Sequence, residues 1–118
     1  MKYKLTDETI THNSKTLYRI QALKDFGDVK AGDLGGYIES EKNLSHDGNC
    51  WVYDDAWVFD NARVFDNALI SGNAWVSGNA RVYDDARIYG NAWVYDDALI
   101  SGNARVYGDT EIKNGFVE

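Results

Sequence analysis

From Cys50 to Gly115 the chain repeats one six-residue pattern: small, x, aliphatic, x, turn, turn, as in Ala62-Arg63-Val64-Phe65-Asp66-Asn67. Ala fills the first position at 56, 62, 68, 74, 80, 86, 92, 98 and 104, and the third reads Val52, Val58, Val64, Ile70, Val76, Val82, Ile88, Val94, Ile100, Val106, Ile112. Neighbouring side chains along a strand face opposite ways, so the small and aliphatic positions share an inward face and the residue between them points out. The last two positions hold Asp, Asn or Gly almost throughout. These types tolerate left-handed backbone and support turns. Each hexad therefore predicts a short strand followed by a corner. A helix is excluded, because six does not match a 3.6-residue turn and paired breakers recur in every hexad.

The outward position sets the number of strands per coil. Trp57, Trp75 and Trp93 recur every 18 residues, as do Arg63 with Arg81 and Arg87 with Arg105. Eighteen is three hexads, so three strands and three corners make one coil, and coils stack at about 4.8 Å. Each unit buries its apolar face only against its neighbours, as repeat architectures do. The Gly-Gly-x-Gly-x-Asp motif of Ca²⁺-binding nonapeptide solenoids is absent.

Small-x-aliphatic hexads at three per coil resemble the hexapeptide-repeat left-handed parallel β-helix. The resemblance implies an all-β triangular solenoid with 18 residues per coil, and its left-handedness comes from the resemblance alone. The segment Thr16 to Ser45, TLYRIQALKDFGDVKAGDLGGYIESEKNLS, followed by hexads, is similar to phage and prophage proteins of the YdcK-like β-solenoid type. That similarity implies a bacterial or phage origin and carries over no catalytic residue.

Residues 1–49 do not obey the period. Lys2 to Ile10 and Thr16 to Leu23 alternate as strands around a turn at His12-Asn13-Ser14-Lys15, which predicts a hairpin. Lys24 to Tyr37 is rich in Gly and Asp and reads as irregular. Ile38, Leu44 and Cys50 are six apart in the small-residue phase. An open solenoid end is an exposed strand edge, and a bulky non-repeating segment covers such edges. The expected division is a capping segment over 1–40 and a solenoid over 41–118. At the far end Phe116 falls in the small-residue phase, where its ring is expected to plug the last coil.

The formal charge is −7, of which residues 1–49 carry −1 and the repeat −6. An acidic solenoid argues against direct nucleic-acid binding, which needs a basic stripe. It leaves room for an acidic surface that imitates nucleic acid, although Asp at solvated corners also serves turn geometry and solubility. The Asp positions alternate with Gly or Asn between coils, Asp54 over Gly72 and Asp60 over Gly78, with Asp66 over Asp84 as the exception. That alternation avoids stacked like charges and does not suit a metal ladder. The single Cys50 excludes an internal disulfide and occupies an inward small position, where it reads as a core residue. No signal peptide and no membrane span are expected, so a cytoplasmic location is expected, in a bacterium or a phage-infected host.

Trp57, Trp75 and Trp93 should form one column on one flat face, with Phe59 and Tyr95 beside it. Offset-stacked rings stabilise a solenoid by about 0.5–1.5 kcal/mol per pair. Exposed, they make an apolar patch of a kind that soluble monomers seldom leave uncovered. These five residues are the candidate interface, and a homo-oligomer is expected. The acyltransferases among left-handed β-helix proteins imply a His in a groove and a protruding loop. The repeat has neither, and only His12 and His46 exist. The expected function is a non-enzymatic protein-interaction module of phage or prophage origin. It binds a host protein through the acidic and aromatic surface, and that partner is a nucleic-acid-binding protein under the mimic reading. The alternatives are a self-assembling structural protein and, behind it, an acyltransferase-like enzyme. No catalytic residue, cofactor or metal is expected.

Overall fold

A computed structural model describes residues 1–118. The repeat forms twelve two-residue strands, from Trp51–Val52 to Phe116–Val117, separated by turns. They sort into three parallel ladders, one per face of the prism. On the first face Trp57 pairs with Trp75, Trp75 with Trp93 and Trp93 with Glu111. On the second, Trp51, Leu69, Arg87 and Arg105 follow one another. On the third the order is Arg63, Arg81, Leu99 and Phe116. Most partners are 18 positions apart, so the protein is a parallel β-solenoid of about four turns.

The inward positions do what their size dictates. Ala80, Val82, Ala86 and Ile88 are fully buried, and 27 buried residues form one continuous core along the axis. Backbone amides are satisfied from coil to coil, as in Trp57 N–H to Ala74 C=O at 2.9 Å and Arg63 N–H to Ala80 C=O at 3.0 Å.

The corners add a second ladder. Asp54, Asp60, Asp66, Asp84 and Asp96 all hold positive φ, between 56° and 59°. Left-handed backbone is costly for most L-residues, but a short polar side chain that hydrogen-bonds locally offsets the cost. Here four of the five carboxylates, all but that of Asp96, accept amides of the next coil: Gly72 N–H donates to Asp54 at 3.0 Å, Gly78 to Asp60 at 3.0 Å, Asp84 to Asp66 at 3.1 Å and Gly102 to Asp84 at 2.9 Å. The acidic corners are thus part of the scaffold, which is why Asp and Gly share these positions.

The N-terminal segment forms β1 (Tyr3–His12) and β2 (Lys15–Ala22), an antiparallel hairpin. Its two-residue turn, Asn13 and Ser14, has positive φ at both positions, the geometry that matches strand twist in tight hairpins. The stretch expected to be irregular contains β3 (Leu34–Ile38), which pairs antiparallel with β2 and parallel with the Trp57 strand. The solenoid's sheet therefore already begins inside residues 1–40. Gly35 and Gly36 make this approach feasible: a Cβ at either would lie 2.5 Å from the backbone oxygen of Val52 or Ala56.

Two phase expectations are corrected. Ile38 pairs with Val58 and Leu44 bridges to Val64, twenty positions apart, so both occupy the aliphatic position and not the small one. The corner over 45–49 carries two more residues than a normal three-residue corner, which shifts the phase. At the far end the last corner is one residue short. Phe116 then pairs beside Leu99 and Val117 beside Ile100. A one-residue slip flips a strand's faces, so Phe116 points outward at 57% exposure and does not plug the coil.

Candidate functional site

The three indoles stand in one column on the first face. Trp57 and Trp75 stack at 4.3 Å with planes 7° apart, and Trp75 and Trp93 at 5.1 Å and 3°. Phe59 meets both Trp57 and Trp75 edge-on at 6.2 Å.

The hairpin reaches this column. A strand of ten residues spans about 33 Å, far longer than a two-residue solenoid strand, so the hairpin overhangs and folds its tip across the face. Leu17 forms a small cluster with Tyr37 and Phe59, backed by Ile10, Trp57 and Trp75. At the tip the His12 ring lies edge-on to Trp57 and Trp75, both at 5.0 Å, and to Phe59 at 5.5 Å. Lys15 pairs with Asp60. Arg19, whose guanidinium lies 4.4 Å over the Tyr37 ring, donates to the Gly35 carbonyl at 2.8 Å and pairs with Asp55 at 3.2 Å. These contacts fasten the hairpin to the solenoid.

The hairpin removes Phe59 from solvent and half-buries Trp57 and Trp75, while Trp93 remains 43% exposed. What stays open is a groove of about 390 Å³ beside the tip, lined by His12, Trp75, Trp93, Tyr95, Asp96 and Glu111 among others. All five aromatic residues singled out in the sequence are on this face, and four of them, Phe59, Trp75, Trp93 and Tyr95, form the groove's apolar wall, while Trp57 does not line it. His12 joins the groove from the hairpin tip, which the six-residue period does not reach. The length mismatch between hairpin and solenoid strands was the available signal.

Across the groove the charge is acidic. Asp96 and Glu111 are exposed, and Asp60, which already holds Lys15 and the Gly78 amide, forms another part of the lining. The Asn13 side-chain amide lies 3.2 Å from His12 Nε2. Donation from the Asn13 amide would place the ring proton on Nδ1.

The other candidate groups have structural roles. His46 stacks on Tyr3 at 4.1 Å and its Nδ1 accepts the Lys2 backbone N–H at 3.1 Å. That bond requires a free lone pair on Nδ1, so the proton sits on Nε2, which faces Glu41 at 2.7 Å. Cys50 is buried. Burial pushes its thiol pKa up, against the opposing pull of the Lys2 ammonium 3.4 Å away, so it stays a neutral thiol and a weak nucleophile. No three His, Cys, Asp or Glu side chains converge as a metal-binding group. No helix is long and apolar enough to cross a membrane.

Two similarities to known proteins bear on this site. The YdcK β-solenoid repeat matches residues 62–78, 80–96, 86–99 and 98–110. The uncharacterized acetyltransferase YdcK of Escherichia coli (strain K12) is 41% identical over 61 residues, covering 45% of this chain and 19% of that protein. The match thus spans about a fifth of the relative's length. The expectation that the chain is not an enzyme is corrected here, because a relative named as an acetyltransferase points the other way. Together with the ladders of 18-residue coils, these matches show that the solenoid between residues 62 and 110 is similar to the YdcK β-solenoid repeat.

Proposed function

We propose that this chain is a rigid docking unit that seats a cationic side chain of a partner protein in the groove beside His12. The observation that carries this reading is the pairing of an open indole with uncommitted carboxylates. Trp93 is the most exposed ring of its column, and Asp96 and Glu111 lie along the same groove. A Lys or Arg side chain laid on an indole face gains a cation–π contact, and the flanking carboxylates add charge-assisted hydrogen bonds. The corners at Asp54, Asp60, Asp66 and Asp84 already spend a carboxylate oxygen on the solenoid, so recognition rests on the groove and not on the acidic surface as a whole.

A second reading is favoured by the acetyltransferase named above and by the position of His12. A substrate amine held against Trp93 and Glu111 would lie beside an imidazole, the usual group for general-base work near neutral pH. With the Asn13 amide displaced from His12 Nε2, that nitrogen would accept the amine's proton as the amine nitrogen bonds to the acyl carbon and the acyl carbon's bond to sulfur breaks, the sulfur leaving as thiolate. Both readings place an amine-bearing partner in one groove and differ in whether acyl transfer follows.

The test is capture and mass spectrometry from a bacterial lysate, comparing the native chain with Trp93→Ala and Glu111→Gln, followed by an acetyl-transfer assay on whatever is retained. Docking predicts a retained protein lost with both variants. Transfer predicts, in addition, acetylated lysine that disappears in His12→Ala. Equal retention by native chain and both variants would refute the groove as the docking site. Light scattering on the native chain and Trp93→Ala separates a foreign partner from a second copy.

A further inference from the structure

The four arginines of the solenoid stand in two in-register pairs on neighbouring strands, Arg63 beside Arg81 and Arg87 beside Arg105. All four are exposed. None takes part in the ion pairs, which involve Lys15, Arg19 and His46. Like charges directly opposite on adjacent strands, about 4.8 Å apart, are unfavourable. The chain has 19 acidic residues against 12 basic ones, so carboxylates to relieve these pairs are plentiful, and the fold points them elsewhere.

The two pairs differ in their surroundings. Arg63 and Arg81 open onto a groove of about 460 Å³ between the third face and the Glu41–Asn43 turn, with His46, Phe65, Lys42 and Glu41 around them. Arg87 and Arg105 line no groove. The one carboxylate in the groove, Glu41, is engaged by His46 Nε2 at 2.7 Å, and Lys42 is turned to Asn61 at 3.1 Å. The guanidinium groups are the uncommitted charges of the site.

We propose that the Arg63–Arg81 groove binds a phosphate group. Each guanidinium presents a planar fork that matches two oxygens of a phosphate. Two forks carrying two positive charges fit a tetrahedral dianion better than a carboxylate, whose two oxygens satisfy only one fork. The Phe65 ring, stacked on Tyr83 at 5.0 Å and 3°, lies two residues from Arg63 on the same outer side and walls the groove. That flat wall favours a phosphate carried on a ring-bearing molecule over the free ion. This site is on a different face from the His12 groove and does not depend on the docking reading.

The test is calorimetric titration of the full chain with inorganic phosphate and with adenosine monophosphate at constant ionic strength. It compares the native protein, R63Q/R81Q and R87Q/R105Q. Saturable binding is expected in the native chain and in R87Q/R105Q, with at least tenfold weaker binding in R63Q/R81Q at unchanged circular dichroism. Tighter binding of adenosine monophosphate assigns an organic phosphate, and equal binding assigns the free ion. R63K/R81K keeps the charge but loses the forks, and the same weakening in it supports the site if R63Q/R81Q does not fold. No binding to the native chain, or equal weakening in both arginine-to-glutamine pairs, overturns the proposal.

Discussion

The carboxylate of Asp66 accepts the backbone N–H of Asp84 at 3.1 Å, one full coil further along the chain. Asp66 holds φ at 59° to make this contact. Asp66→Ala loses the acceptor and leaves Ala in left-handed backbone, and should cost about 2 kcal/mol. Asp66→Asn keeps an acceptor oxygen and should cost under about 1 kcal/mol. Urea denaturation of the two variants checks the order, and equal losses would mean that the side-chain bond contributes nothing.

The core leaves no room to adjust. Ile88 is fully buried between Ile70 and Val106 in its ladder, and Ala86, two residues before it, is buried as well. Ile88→Ala should destabilise by about 2–5 kcal/mol and Ile88→Val by about 0.5–1.5 kcal/mol. Ala80→Leu should be destabilising as well, by about 1–3 kcal/mol, because a larger side chain at an axial small position has no void to enter. Thermal melts of the three variants measure this.

The Trp column should be graded in stability. Trp75 is held between Trp57 and Trp93 with His12 at its edge. Trp75→Ala should cost about 3–5 kcal/mol. Trp93 stacks on one side only and is 43% exposed, so Trp93→Ala should cost about 1 kcal/mol. A binding defect in Trp93→Ala can then be read without a folding defect. Chemical denaturation followed by circular dichroism gives both values.

Alkaline pH should loosen the N-terminal clamp. The Tyr3 phenol donates to the Leu44 carbonyl at 2.6 Å. Burial, with the charges of Glu41 and Cys50 behind it, holds its pKa well above the ordinary 10.0. A folded-state pKa above the unfolded one gives stability that is fully present below pH 10 and is lost as pH rises through the folded value. Cys50, raised chiefly by burial from 9.0, has the same sign. Lys2, lowered from 10.5 chiefly by burial, has the opposite sign, since the unfolded chain binds that proton more tightly. Tyr3→Phe removes the phenol's share. It should cost about 1 kcal/mol at neutral pH and flatten the decline above about pH 10. Urea melts across that range test it, and an unchanged slope in Tyr3→Phe would contradict the assignment.

The coil was legible because its period is carried by side chains whose size and polarity cannot be exchanged: Ala86 and Ile88 inward, Arg87 outward, Asp84 at the corner. What the period could not carry was its own interruptions. The two extra residues before Cys50 and the missing one before Phe116 change register without changing composition, so counting by six puts Ile38 and Phe116 in the small-residue position, whereas Ile38 pairs with Val58 and Phe116 with Leu99. β3 was hidden for a related reason, since its Leu-Gly-Gly-Tyr core reads as a turn until the backbone approach of Val52 and Ala56 explains the glycines. His12 was beyond local reading because its place depends on how far the hairpin overhangs the solenoid. Half of the groove, the aromatic column, was visible in the spacing, and the half supplied by the tip was not.

The most direct test of the account is a pair of engineered disulfides in a Cys50→Ala background. In-register residues on adjacent parallel strands have Cα atoms within the range a disulfide spans, about 4.4–6.8 Å. Arg63→Cys with Arg81→Cys joins neighbouring coils on one face, whereas Arg63→Cys with Leu69→Cys joins positions closer in sequence but on different faces. The account predicts rapid oxidation of the 63/81 pair, read by the mass loss of two hydrogens, and none of the 63/69 pair. Oxidation of the 63/69 pair with the 63/81 pair left reduced would contradict it.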